Sequence, residues 1–384
     1  MLSLVYAAYG YYWGAWAVLF ADFLSGHDLS PGEGSWRLVV LSATAVLAMT
    51  LLAPRMEGVP RRVSVALALA LQGGGAFLIA VSATDWLVLA FGIAGVGTGL
   101  VDVFVNAAGQ SIESRSARPV LQTVHACYGI GGALGALVAG GVLSVGGTFR
   151  TVLVEAAIVQ VAVALACSRT RSLAAAEGAS GRGSSAFSLA AFVRWPYLLL
   201  PALVVLAAFF IEGSMDVWSV IYLRRTLGAS NLAGSGGFAA FALATTVGRL
   251  FAARLLFGLG YRRTILFSGL GSALAGLVAV TATSPGVASL GFLLLGVCVS
   301  AAAPAAFGLA GGSGRDAALA IAAMTTVGYS GFVLGPPLLG WLAEEAGLRA
   351  TMAALMVATL VIAVGGVAGR KGTAGELAPV SRSG

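Results

Sequence analysis

Apolar residues run in long stretches broken only by short polar segments, and the stretches share one length scale. A helical span needs about 20 apolar residues to cross about 30 Å of hydrocarbon, and on that basis the chain predicts twelve α-helical spans. They fall roughly at 3–23, 38–55, 63–82, 86–108, 120–144, 150–168, 196–222, 232–253, 264–282, 286–309, 317–342 and 348–369. The pattern therefore predicts an all-α membrane protein.

The polar punctuation of the second half repeats that of the first. Gly131, Gly135, Gly140 and Gly147 recur 200 residues later as Gly331, Gly335, Gly340 and Gly347, and Arg150 is answered nearby by Arg349. A constant offset predicts two six-helix bundles related by a parallel pseudo-two-fold along the membrane normal, the arrangement of many transporters. The expected organisation is an N-terminal bundle over 1–168, a linker over 169–195, a C-terminal bundle over 196–369 and a disordered tail over 370–384. The Ser-, Gly- and Arg-rich composition of 169–195 sets it apart from every other loop.

Composition agrees: 59% of residues are hydrophobic and only 10% charged, against about 25% charged in soluble domains. Of the 22 basic residues, 17 fall in the loops that share a side with the tail, counting Arg249 with its loop. The positive-inside rule then puts both termini in the cytoplasm of a cytoplasmic (inner) membrane protein. The net charge of +7 reflects that topology and implies no nucleic-acid partner. The first run opens almost at Met1 without a basic n-region or cleavage site, so no cleaved signal peptide is expected. Cys127, Cys167 and Cys298 sit in apolar runs at unrelated spacings, which implies neither disulfides nor a metal. No nucleotide-binding or catalytic motif is present, and Gly95, Gly97 and Gly99 lie inside a span with no preceding strand. The expectation is a monomeric non-enzyme without cofactor, working in the lipid bilayer on a gradient.

Charges inside spans are costly and point to function. Asp102 on the fourth span and His125 on the fifth each lie about six residues from the cytoplasmic end, and Asn106 is one turn from Asp102 on the same face. The three form a candidate polar layer. A buried carboxyl and an imidazole suit proton exchange near neutral pH, and a structural tether between helices is the alternative. Glu212 and Asp216, one turn apart on the seventh span, form a second acidic group with Asp22 at the end of the first span. Glu212 is deep, whereas Asp216 and Asp22 are expected nearer the interface. Tyr12 and Trp16 share a face of an aromatic-rich first span that also holds Tyr9, Tyr11 and Trp13, and offer a stacking wall for a cargo. At the repeat offset Glu212 answers Tyr12 and Asp216 answers Trp16. Proton coupling is thus expected from Asp102, His125 and Glu212, and substrate binding from Tyr12, Trp16, Asn106, His125, Glu212 and Asp216. Pro336–Pro337 is expected to bend the eleventh span.

The loop after the eighth span reads G-R-L-F-A-A-R-L-L-F-G-L-G-Y-R-R from Gly248 to Arg263, and the loop after the second ends in Glu57 and Arg61–Arg62. These resemble the loop signature of the major facilitator superfamily. That resemblance implies that Glu57, Arg61, Arg62, Gly248, Arg249, Arg262 and Arg263 hold a cytoplasmic gate; positive-inside anchoring alone would explain the arginines but not the Gly-Arg spacing. The stretches L-V-D-V-F-V-N at 100–106, Q-T-V-H-A-C-Y-G-I-G-G-A-L-G at 122–135, E-G-S-M-D-V-W-S-V-I-Y-L at 212–223 and G-Y-S-G-F-V-L-G-P-P-L-L-G-W-L-A at 328–343 are similar to the fucose-permease-like branch. In sugar-transporting relatives an acid-x-x-x-Asn pair occupies the fourth span, and Asp102 with Asn106 matches it. His125 falls where those relatives carry a substrate-contacting Gln. The resemblance implies proton-coupled movement of a small organic solute by alternating access, with efflux of an amphipathic drug-like compound or secreted metabolite as the alternative. Ala136 stands where the antiporter signature of the superfamily has Pro.

Overall fold

The computed structural model describes residues 1–116, 120–170, 190–310 and 315–368. Most of the 169–195 segment and the 370–384 tail lie outside the described residues. Everything else of length is helical: α1 Leu2–Gly26, α2 Pro31–Leu47 with a wide turn Ala48–Leu52, α3 Arg61–Val81, α4 Leu87–Ser116, α5 Val120–Ser144, α6 Phe149–Arg169 and α7 Leu199–Ile221. Two runs then exceed any single span. Asn231–Thr281 has 51 residues and Arg315–Ala368 has 54, each well over twice the about 30 Å of hydrocarbon at about 1.5 Å per residue. Each is interrupted once, at Gly260 (φ 73°) and at Gly347 (φ 82°), in the left-handed region that costs glycine nothing. The pieces are α8 (231–259) and α9 (261–281), then α11 (315–346) and α12 (348–368). Between them α10 comprises Pro285–Val299 and Ala302–Ala310.

Among the described residues, nine helical segments are long and apolar enough to cross a membrane, the two long runs each counting once. The 25-residue α1 is also long enough, but its tyrosines and tryptophans make it more polar. The chain is an all-α multi-pass membrane protein. The backbone stays helical through Pro336 and Pro337, and the non-helical residue of that run is Gly347. The fourth helix also runs eight residues past its predicted edge, to Ser116, which places Asp102 near its middle.

The sequence repeat is a repeat of contacts. Arg150 Nε donates to the Ala80 carbonyl at 3.1 Å, and Arg349 Nη1 donates to the Val280 carbonyl, so the start of the last helix in each half is tied to the end of the third. Between the halves the relation is reciprocal. Gly140 on α5 packs on Ser235 and Asn231 of α8, and Gly340 on α11 packs on Ser35 and Pro31 of α2. Within each half, Gly131 faces the Ala7 carbonyl of α1 while Gly331 faces the Leu206 carbonyl of α7. At these contacts a side chain would overlap the neighbouring helix, so glycine sets how closely the helices approach.

The two ends of the bundle differ. At the end opposite the chain terminus, Arg224 forms an ion pair with Asp22, and Arg225 donates to Ala21 O and Ser25 Oγ at 3.1 and 3.0 Å. There Glu344 also accepts from the Gly32 amide at 2.8 Å, and Phe20 meets Trp218 edge-on at a centroid distance of 6.1 Å. Those contacts all join one half to the other and close that end.

Candidate functional site

Midway through the bundle, α4, α5, α7, α8 and α11 direct polar side chains at one another. Asp102 is the hub. Its Oδ1 accepts from the Tyr6 hydroxyl at 2.6 Å and from Asn106 Nδ2 at 3.0 Å. Its Oδ2 accepts from the Tyr329 hydroxyl at 2.7 Å. Two of these donors belong to the first half and the third to the second, so a single carboxyl bridges the halves. Asn106 follows Asp102 by one helical turn, which is why its amide reaches both the Asp102 side chain and the Asp102 carbonyl, at 2.8 Å. Its Oδ1 stands 3.1 Å from His125 Nε2; with Nδ2 committed as donor, the amide oxygen accepts and His125 carries its proton on Nε2. The Tyr6 ring caps that imidazole edge-on at 5.0 Å.

The second half contributes charge. Arg249 on α8 forms an ion pair with Glu212 on α7. Glu212 lies in the middle of its helix and its side chain is 12% exposed, whereas Arg249 keeps 34%. The Arg249 side chain thus stays partly hydrated while its carboxylate partner is nearly buried. Asp216, one turn beyond Glu212, is partly exposed.

Aromatic rings line both sides. Tyr6, Tyr9 and Tyr128 form a triad with centroid separations of 5.4 to 5.6 Å. In the other half Phe209 contacts Tyr329 and Phe332 at 6.0 and 5.0 Å. Tyr9 and Phe209 are repeat partners, whereas Tyr6, Tyr128, Tyr329 and Phe332 are answered by Leu206, Gly328, Gly129 and Gly132.

The structure thus brings together Asp102, Asn106 and His125, with Glu212 across from them. It keeps Tyr12 and Trp16 out of this layer. Each is 1% exposed, and Trp16 packs on Phe20, Phe23 and Phe91 at 5.4 to 5.9 Å in the closed end. Asp22, read as interfacial, is the partner of Arg224. The residues of the loop signature separate. Arg249 turns inward to Glu212 instead of lying at the surface, and Gly248 packs against Ser300. Arg262 donates to the Val367 carbonyl at 2.6 Å and Arg263 is exposed. In the other loop Glu57 and Arg62 are exposed, while Arg61 is 7% exposed with its guanidinium 5.1 Å from the Phe104 ring centre.

Tyr6, Tyr128, Tyr329 and Phe209 are site residues that span-by-span reading does not single out. Tyr6 and Tyr9 stand about one turn apart on α1, and that spacing was the available signal. Nothing in the sequence near Tyr329 announces a partner 227 positions away.

This architecture has known counterparts. The Major Facilitator Superfamily profile matches residues 2–329. The chain belongs to that family. It is similar to an uncharacterised MFS-type transporter of Yersinia pestis, 28% identical over 287 residues that cover 74% of this chain and 73% of the relative. Among solved structures, the nucleoside transporter NupG superposes with a TM-score of 0.75 at 14% identity, over 97% of this chain and 98% of that one. The E. coli fucose:proton symporter FucP gives a TM-score of 0.59 at 14% identity, over 97% and 98%. At such identities these likenesses establish the fold. The protein is a multi-pass membrane transporter for small molecules, not an enzyme.

Proposed function

We propose that the protein is a proton-coupled secondary transporter that moves a small organic solute across the cytoplasmic membrane by alternating access. The bundles over 1–168 and 196–369 are its moving units, their twelve helices all cross the bilayer, and both termini are cytoplasmic. One observation carries the reading: Asp102 accepts hydrogen bonds from Tyr6 and Asn106 in one half and from Tyr329 in the other. Carboxylates accept more strongly than carboxylic acids, so a proton on Asp102 weakens the contact that joins the halves at mid-depth. The proton equilibrium and the equilibrium between packings are then linked and bias each other reciprocally.

The remaining roles follow from position. His125 adjoins Asp102 through Asn106 and is the second titratable member of the layer. Asn106, His125, Glu212 and Asp216 contact the cargo. Tyr12 and Trp16 join them only when the opposite end opens. Arg249 neutralises Glu212, and the arginines and Glu57 of the two loops hold the cytoplasmic side in the other state.

Purified protein in proteoliposomes tests this reading once a cargo is in hand. Asp102→Asn is expected to abolish accumulation driven by a pH gradient while retaining exchange between labelled and unlabelled cargo, since the neutral mimic still binds and reorients. Accumulation at the wild-type level by the variant removes Asp102 from coupling.

A further inference from the structure

At the end of the bundle opposite the chain terminus, a cavity of about 540 Å³ lies between the halves, within the about 300–1,000 Å³ of small-molecule sites. Asp22 and Ser25 of α1 and Ser144 of α5 line it from the first half, and Arg224, Arg225 and Asn231 from the second. Ser25, Ser144 and Arg225 are exposed, so solutes reach it from solution. Arg224 is neutralised by Asp22. Arg225 has no carboxylate: among the described residues only its Nη2 is engaged, with Ala21 O and Ser25 Oγ. The cavity therefore carries one uncompensated positive charge with donors to spare.

The repeat supplies the counterpart. On the other side of the molecule the equivalent contact, between the start of α2 and the end of α11, is filled by carboxylates. Glu344 accepts from the Gly32 amide at 2.8 Å, Glu33 accepts from the Ser30 amide at 2.9 Å, and Pro31 has no amide proton to satisfy. Ser30 recurs as Ser230, which likewise caps its helix, accepting from the Ala233 amide at 3.2 Å. The acids do not recur: Glu344 is answered by Ser144, Glu33 by Ala233 and Pro31 by Asn231. The amides of Ser230, Asn231 and Leu232 consequently have no acceptor among the described residues, and Ser230 and Asn231 line the cavity. Open amides at a helix start attract an anion, and a guanidinium beside them strengthens the hold on a carboxylate. One side thus carries its own carboxylate, whereas the other has a cavity, a spare guanidinium and no acid to match it.

We propose that this cavity is a binding site for a small organic carboxylate, which takes the place that Glu344 fills on the other side. Its oxygens accept from Arg225 and from the open amides at the start of α8, with Ser144 beside them. Since the lining comes from both halves, a bound carboxylate stabilises the arrangement in which this end is closed. The site stands apart from the layer around Asp102 and does not rest on the transport reading.

The test is thermal unfolding of the purified full-length protein in neutral detergent, at constant ionic strength set with chloride. Carboxylates are paired with their amides: lactate with lactamide, succinate with succinamide and gluconate with gluconamide; inorganic phosphate is the second oxyanion. At least one carboxylate is expected to raise the melting temperature beyond chloride and beyond its amide. Arg225→Gln should weaken that binding at least about tenfold. Ser144→Glu, which builds in the acid that Glu344 supplies on the other side, should raise the melting temperature without ligand and remove the response. If Arg225→Gln does not fold, Ser144→Glu decides the matter. No effect of any carboxylate beyond chloride, an effect of phosphate alone, or a response that survives either variant overturns the proposal. A carboxylate bound in the central layer would survive both variants, and binding is read without cargo or gradient, so this result stands apart from that of the proteoliposome assay.

Discussion

The two halves share a scaffold and differ in their chemistry. Positions that set helix spacing repeat almost without change: Gly140 on Ser235 answers Gly340 on Ser35, and Arg150 on Ala80 answers Arg349 on Val280. Positions that face the central layer do not repeat. Glu212 is answered by Tyr12 and Asp216 by Trp16, both of which pack outside the layer, Asp102 by Ala302, Asn106 by Ala306 and His125 by Thr325. A motion in which two similar bodies rock on each other requires matched contacts on both sides of the axis. The central layer, which the proposed function assigns to the proton and the cargo, has no such requirement, and there the halves have diverged.

That contrast is most sharply tested at the Arg249–Glu212 pair, which has no counterpart in the first half: Met49 stands at the repeat position of Arg249. Arg249→Leu leaves Glu212 unpaired at 12% exposure and is expected to destabilise by about 3 kcal/mol, the low end for breaking a buried pair because Arg249 is itself partly hydrated. Arg249→Leu combined with Glu212→Leu should recover most of the loss in thermal unfolding. A double variant no better than the single one would mean that Arg249 acts through packing alone.

Substitutions at repeated positions should instead come in matched pairs. Gly140→Leu and Gly340→Leu each push a side chain into the other half, against Ser235 and Ser35, and overpacking costs about 1–3 kcal/mol. Both are expected to shift the protein toward the state open at that end, by similar amounts, as read from cysteine accessibility at Tyr12 and Trp16 positions. An effect at one glycine and none at the other would show that the contacts are equivalent in geometry only.

The smallest effect lies outside the spans. His27 ends α1, is 8% exposed and packs on Phe23 and Phe149 at 5.1 and 5.4 Å. Burial, and then the positive charge of Arg150, hold its imidazole below the ordinary value. Above about pH 6.5 the folded and unfolded forms are both neutral at His27. Below that the unfolded form gains the proton first, so stability falls with pH until the folded value is reached. The melting temperature should therefore drop modestly on acidification below about pH 6.5, and His27→Gln should lessen the drop. An unchanged profile in His27→Gln would assign the drop to other groups.

How much of this was legible in the sequence depended on range. Apolar run length and the glycine repeat are local or regular signals, and they carried the helical membrane fold. Asp102 and Asn106 were legible as a pair because one helical turn separates them. Arg249 was not, because an arginine near a loop signature reads as a surface anchor until the packing of α7 on α8 shows Glu212 beside it. Tyr329 was invisible for a stronger reason: its contact with Asp102 exists only through the docking of the two halves, which no single helix encodes. Tyr12 and Trp16 show the converse. Their shared face was plain, but a shared face does not say whether it looks onto a cavity or into packed aromatics.

The central claim is that the proton on Asp102 governs the contact between the halves. Spin labels at the exposed positions Val145 and Val287, introduced after replacing the three cysteines, report the separation of the halves at the end opposite the terminus. At one pH, the distance distributions of Asp102→Asn, which mimics the protonated carboxyl, and of Tyr329→Phe, which removes the contact, are predicted to shift from that of the wild type in the same direction. Distributions unchanged in both variants, or shifted in opposite directions, would contradict the account.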